Sequence, residues 1–213
     1  VSSAATATVN LDDVRTEAVL RGFILVNQGS VLITGTGTGG HNFLLDSADI
    51  DNQADFELRS NNQNNLVLDC TSLNCGSFFN RSGATLRLND LQGLAIVGPS
   101  LATLNNDGLI DLVSGCGMIA PPGVDSGTYR FDSFCTLAFF TRPGSERVLG
   151  STVILDSINS TSLQLGGSLR VDGAARSFGN LIIDTPATLY GPAAITFTAN
   201  TEWRGLIEGL SAS

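Results

Sequence analysis

A parallel β-solenoid, within the all-β class, is the fold this chain predicts, and three observations predict it. First, a phrase of an apolar residue, an Asn, a turn and an alternating apolar/polar strand recurs. It reads Val26-Asn27-Gln28-Gly29-Ser30-Val31-Leu32-Ile33 and Ile50-Asp51-Asn52-Gln53-Ala54-Asp55-Phe56-Glu57-Leu58. It returns as Phe79-Asn80-Arg81-Ser82-Gly83-Ala84-Thr85-Leu86-Arg87-Leu88 and as Leu104-Asn105-Asn106-Asp107-Gly108-Leu109-Ile110-Asp111-Leu112. Second, Asn27, Asn52, Asn80 and Asn106 follow one another at 25, 28 and 26 residues. A period in the twenties built from strands and turns marks coils that bury their apolar sides on each other. Third, no segment carries a long helical period, which rules out βαβ units. A jelly roll or β-sandwich is the alternative, since it too has many short strands. Such a fold has no reason to repeat a turn phrase in register.

The elements follow in order. Residues 1–9 alternate small and β-branched types without charge, as an edge strand does. Asn10, with Asp12 and Asp13 in the first turn after it and Gly22 beyond, also has the pattern of a short helix. Residues 1–21 are therefore expected to be an N-terminal edge strand or a capping segment over the first coil. The solenoid domain spans 22–205 and is most regular up to 112. There Thr85-Leu86-Arg87-Leu88 alternates as a half-buried strand, while Asn65-Leu66-Val67-Leu68 and Leu94-Ala95-Ile96-Val97 are more apolar.

Residues 116–147 break the pattern with Pro121-Pro122-Gly123, the aromatics Tyr129, Phe131 and Phe134, and the pair Phe139-Phe140. They are expected to form a hairpin-like excursion pinned by Cys116 and Cys135. Its aromatics would either hold it down or form a sugar-stacking platform. Short strands resume at Val153-Ile154-Leu155, Leu163-Gln164-Leu165, Ser168-Leu169-Arg170-Val171, Leu181-Ile182-Ile183, Thr188-Leu189-Tyr190 and Ile195-Thr196-Phe197. Trp203 is expected to plug the last coil, and 206–213 to form a C-terminal tail.

Composition bounds the partners. The 213 residues suffice for one large all-β domain or two small ones. A net charge of −9, with all 11 basic residues being arginine, leaves no basic patch for nucleic acid. The longest apolar runs are four or five residues, too short to cross a membrane. Four cysteines, Cys70, Cys75, Cys116 and Cys135, form an even set. Sequence order favours 70–75 with 116–135 among the three connectivities, and the spacing does not suit zinc. Disulfides together with the sequons at Asn80 and Asn159 indicate a secreted or cell-surface protein. The start at Val1, without an initiator Met, is what a mature product after leader cleavage shows.

Short strands with Asn and Gly at the corners, as in Leu104-Asn105-Asn106-Asp107-Gly108-Leu109, resemble the right-handed parallel β-helix proteins, particularly surface adhesins and haemagglutinin-repeat proteins. The likeness is one of repeat style, covering 22–112 well and 150–205 poorly. In that family, stacked corner asparagines form internal hydrogen-bonded ladders. The resemblance implies such corners for Asn27, Asn52, Asn80 and Asn106. Asn80 cannot both carry a glycan and lie in a ladder, so either its corner faces outward or its sequon is unused.

Pectate lyases and polygalacturonases share the β-helix and use clustered carboxylates, with calcium or as paired acids. Here Asp46, Asp49, Asp51 and Asp55 form the acidic cluster. Asp49 and Asp51, two apart on a strand, point the same way and are weak candidates for a Ca²⁺ ion. A solvated acidic turn is the commoner arrangement, and Arg59 is the nearest base, on a neighbouring coil. Gly35-Thr36-Gly37-Thr38-Gly39-Gly40-His41-Asn42 lacks the Lys-Ser/Thr of a phosphate loop, so it reads as a corner with His41 exposed in a turn. No catalytic residue or cofactor is expected. The sequence is read as a secreted, non-catalytic structural protein, a subunit of an extracellular or cell-surface fibre or adhesin. It would self-associate into a homopolymer through strand edges or solenoid ends, with glycans possible on its surface. The alternative is a carbohydrate-active β-helix enzyme or a polysaccharide-binding module.

Overall fold

A computed structural model of the chain describes residues 2–3, 5–11, 17–35, 40–60, 66–70, 75–98, 100–131, 136–156, 162–173 and 175–209. Among them every regular element is a strand, and the strands pair in parallel into a β-solenoid. One wall is a 10-stranded sheet, running Ser2–Ser3, Ile24–Asn27, Asp49–Asn52, Phe78–Asn80, Leu104–Asn106, Gly123–Asp125, Glu146–Leu149, Ser168–Val171, Thr188–Gly191 and Leu206–Gly209. A 14-stranded sheet makes the other two walls. On one of them Thr6–Leu11, Ser30–Gly35 and Asp55–Ser60 stack towards Thr128–Phe131. On the other, Glu17–Arg21, His41–Asp46 and Leu66–Cys70 stack towards Thr136–Phe139 and Thr201–Trp203. The long strands Thr85–Val97 and Leu109–Ile119 turn the corner between these walls and join them. A two-stranded sheet, Arg176–Phe178 with Ile195–Phe197, stands apart from both.

The period-two alternation explains why these segments are strands. Ser30–Gly35 alternates half-buried and buried along its length, and Leu66–Cys70 alternates in the same way. Each inward residue stacks on its counterpart one coil away. Ile50, Phe78 and Leu104 form one such column, and Val31, Phe56, Leu86, Ile110 and Tyr129 form another. Phe43, Leu68, Val97, Ile119, Phe139, Leu165 and Ile183 form a third. The interior is one continuous apolar core. Burying each Leu or Phe stabilises it by about 1.5–3 kcal/mol, and Phe56 meets Phe78 edge-on at 5.2 Å.

Several expectations are corrected. Residues 116–147 are not an excursion. Gly123–Asp125, Thr128–Phe131, Thr136–Phe139 and Glu146–Leu149 are regular coil strands in the same sheets. The Pro121-Pro122-Gly123 run, which reads as a break, fits a tight corner. The Pro122 carbonyl accepts from Leu104 N–H at 2.9 Å, and a Cβ on Gly123 would lie 1.8 Å from the Leu104 carbonyl oxygen. Among the described residues no helix covers the first coil: Asn10 and 17–21 lie in the strands Thr6–Leu11 and Glu17–Arg21. The glycine read as a helix stop, Gly22, instead turns a corner at φ 71°. Leu206–Gly209 is a strand paired with Thr188–Gly191 rather than a tail. Trp203 is in register with Ile183 and so stands at the end of that inward column over the last coil, 54% exposed.

Candidate functional site

Four places could carry function: the corner column, the acidic turn, the two ends of the solenoid and a charged groove on one wall.

At the corner, the four repeated asparagines point inward and are buried. Asn27 Nδ2 donates to Asn52 Oδ1 at 2.7 Å, Asn52 Nδ2 to Asn80 Oδ1 at 2.8 Å, and Asn80 Nδ2 to Asn106 Oδ1 at 2.7 Å. The second N–H of each is also used, donating to the backbone carbonyls of Asp55, Thr85 and Leu109 at 2.8, 3.0 and 3.0 Å. Asn80 thus lies in the ladder with both amide hydrogens committed, and a glycan on Nδ2 is incompatible with this coil. Its glycosylation candidacy is corrected on that ground. Asn159 lies outside the described residues.

The next corner residue after Asn106 is Asp125, and the column changes character there. Arg147 sits in the inward column between Gly123 and Leu169, fully buried, where the other described positions of the column hold an aliphatic residue, Phe78 or the glycine. Its Nη2 donates to Asp125 Oδ1 at 2.5 Å and to the Tyr129 hydroxyl at 3.0 Å, and its Nη1 to the Pro121 carbonyl at 3.1 Å. The guanidinium also lies 5.6 Å from the Phe139 ring centre. Burial pushes the Asp125 carboxyl upward, with Arg147 opposing it, and pushes the Tyr129 phenol well above its ordinary value. Burial works against the Arg147 charge, but the Asp125 carboxylate outweighs it and holds the guanidinium protonated. Nothing in the sequence phrase announces this pair, because Arg147 occupies a position that the alternation assigns to an apolar side chain.

Asp49 and Asp51 do point the same way from Asp49–Asn52, but each has donors of its own. Asp49 Oδ1 accepts the Ser77 N–H at 2.7 Å. Asp51 accepts from Arg81 Nε at 2.5 Å and from Gln53 Nε2 at 2.9 Å. Burial tends to raise the Asp51 carboxyl, yet these bonds hold it below its ordinary value. Asp46 pairs with Arg21, and Arg59 turns to Glu57 rather than to the acidic turn. Among the described residues no three His, Cys, Asp or Glu side chains gather for a metal.

His41 is 1% exposed and inward, in register with Leu66, where the turn reading placed it in solvent. A Cβ on Gly35 would lie 2.3 Å from its ring, so Gly35 makes its room. Tyr129, Phe131 and Phe139 are core residues rather than a sugar platform, and Phe140 is half-buried. Phe134 lies outside the described residues. Cys70 and Cys75 are joined by a disulfide. Cys135 and the side chain of Cys116 lie outside the described residues.

The ends are uncovered among the described residues. At one, Ala7, Val9, Ala18 and Leu20 are only partly buried against the core. At the other, Ile195, Phe197 and Ile207 are likewise partly buried, with Trp203 beside Phe197 at 6.4 Å.

The groove, of about 490 Å³, lies on the outer wall where Thr85–Val97 and Leu109–Ile119 round their corner. Glu57, Arg87, Asp111 and Arg130 stand in register on four successive strands, alternating in charge. Arg87 reaches Asp111 at 3.2 Å, and Arg130 grips it with two bonds at 2.9 and 2.7 Å. Glu57 accepts from Arg59 at 2.7 Å and from Asn89 at 2.9 Å. Burial works to raise both carboxyls, but the arginine bonds outweigh it and hold Asp111 and Glu57 below their ordinary values. The alternating row was invisible in sequence, since its members lie 30, 24 and 19 residues apart. No protein-family model, curated protein or solved structure matches this chain.

Proposed function

We propose that this protein is a secreted, non-catalytic structural β-solenoid that assembles end to end into an extracellular or cell-surface fibre. The observation that carries the reading is the pair of solenoid ends that no described residue covers. Edge strands present unpaired N–H and C=O groups and partly buried apolar side chains, and such edges recruit further strands. Both ends carry apolar side chains, Ala7, Val9, Ala18 and Leu20 at one and Ile195, Phe197, Trp203 and Ile207 at the other. A head-to-tail contact that does not close on itself grows into a filament. The Cys70–Cys75 disulfide supports an oxidising compartment.

The test is sedimentation velocity and negative-stain microscopy of the purified chain over a wide concentration range. Filaments or concentration-dependent oligomers are expected, and they should be lost on Trp203→Asp, on Leu20→Asp, or on deletion of residues 1–9. A wild-type protein that stays monomeric at the highest concentration overturns the reading.

A further inference from the structure

We propose that the charged groove on the corner wall is a binding site for an acidic oligosaccharide lying along the solenoid axis. The proposal does not depend on end-to-end assembly.

Four features carry it. The groove exists because Leu109–Ile119 bulges at the corner: Leu88 pairs with Leu112 and Asn89 with Ser114, leaving Val113 extra. A continuous wall is thereby bent into a concave strip without any loop. Secondly, three arginines face two carboxylates here, which gives a net positive strip on a chain of net charge −9. Thirdly, the groove already sets the arginines in place. Glu57 and Asp111 hold Arg59 and Arg87 through their Nε atoms, and the Nη groups of these two arginines make no hydrogen bond among the described residues. A guanidinium oriented in this way presents a fork of donors that fits a carboxylate. Fourthly, the lining mixes types as sugar recognition requires. Asn89, Glu57 and Asp111 can meet hydroxyls, and Val113, 37% exposed, offers an apolar patch to a ring face.

The same geometry disfavours other polyanions. An extended peptide binds by adding to a free strand edge, but every strand under the groove is paired on both sides. Nucleic acid needs a far larger basic surface than three arginines on an acidic protein provide.

The test titrates the folded chain with tetragalacturonate in low-salt buffer free of divalent cations, by calorimetry and NMR. Controls are a neutral galactotetraose and tetraglutamate. Saturable 1:1 binding of the acidic sugar is expected, weakened about tenfold or more by Arg87→Gln and by Arg59→Gln. Arg170→Gln, on the opposite wall, should leave it unchanged. Asp111 keeps Arg130 in the Arg87→Gln variant. Should that variant fail to fold, as judged by circular dichroism, Arg59→Gln decides alone. The proposal is overturned if no saturable binding occurs, if either control binds as tightly, or if Arg59→Gln and Arg87→Gln bind no more weakly than Arg170→Gln.

Discussion

Asn80 uses all of its amide: its oxygen takes the Asn52 bond, and its two hydrogens go to Asn106 and to the Leu109 carbonyl. Replacing it with Ala strands a buried donor on Asn52 and a buried acceptor on Asn106. Each costs about 1–3 kcal/mol, so Asn80→Ala should lower the denaturation free energy by about 2–6 kcal/mol in urea unfolding. For the same reason, mass spectrometry of the protein from a glycosylating host should find the Asn80 peptide unmodified. Arg147 offers the sharper residue-scale contrast. Arg147→Leu leaves the Asp125 carboxylate buried without its cation and should cost about 3–5 kcal/mol. The double variant Arg147→Leu, Asp125→Leu removes both charges and should recover most of that loss. If the double variant is as unstable as the single one, the pair is not what governs this coil.

At the scale of the strand, Arg87, Asp111 and Arg130 tie three successive coils together, and Glu57 joins a fourth through its bond from Asn89. The Asp51, Glu57 and Asp111 carboxyls are held below their ordinary values of 3.8, 4.5 and 3.8. A depressed carboxyl contributes stability that is present above its ordinary pKa and lost as pH falls through the folded value. Thermal midpoints should therefore be flat from pH 7 to about 5 and fall below about pH 4. Asp111→Asn should make that acid limb shallower.

The strands themselves were legible wherever the Asn phrase recurs, because one turn sequence serves one corner. Past Asn106 the corner positions become Asp125, Leu149 and Val171, at intervals of 19, 24 and 22 residues. With the asparagine gone and the spacing uneven, the same coils looked like an interruption. The charged row escaped notice for a related reason: register between coils, not proximity in sequence, brings its members together.

For the whole molecule, each described coil pairs its strands with those of its neighbours, so stability accumulates coil by coil. The coils joined by the asparagine ladder are bonded on both sides and through the core, whereas the end strands lack one neighbour among the described residues. Hydrogen exchange should thus be slowest over Asp55–Ser60 and Phe78–Asn80. It should be fastest over Thr6–Leu11 and Thr201–Trp203 in the isolated chain, and under the proposed end-to-end assembly these end strands should slow as concentration rises. Uniform exchange along the chain would argue against this graded picture.

The ladder has one more property. In every described rung the donor lies on the earlier coil and the acceptor on the later one, from Asn27 through Asn106. The side-chain amide dipoles therefore all point the same way along the axis, with their positive poles facing the C-terminal coils, the opposite sense to the peptide dipoles of a helix, whose positive pole faces the N-terminus. Asp125 takes the next corner position, placing a carboxylate at the positive pole of the row, where an anion is favoured. Joined copies inherit that polarity. Head-to-tail contact keeps the dipoles of successive molecules parallel, while head-to-head contact sets them in opposition. A head-to-tail fibre of such copies would accordingly be a vectorial object, with two electrically distinct tips whose polarity is written inside each subunit.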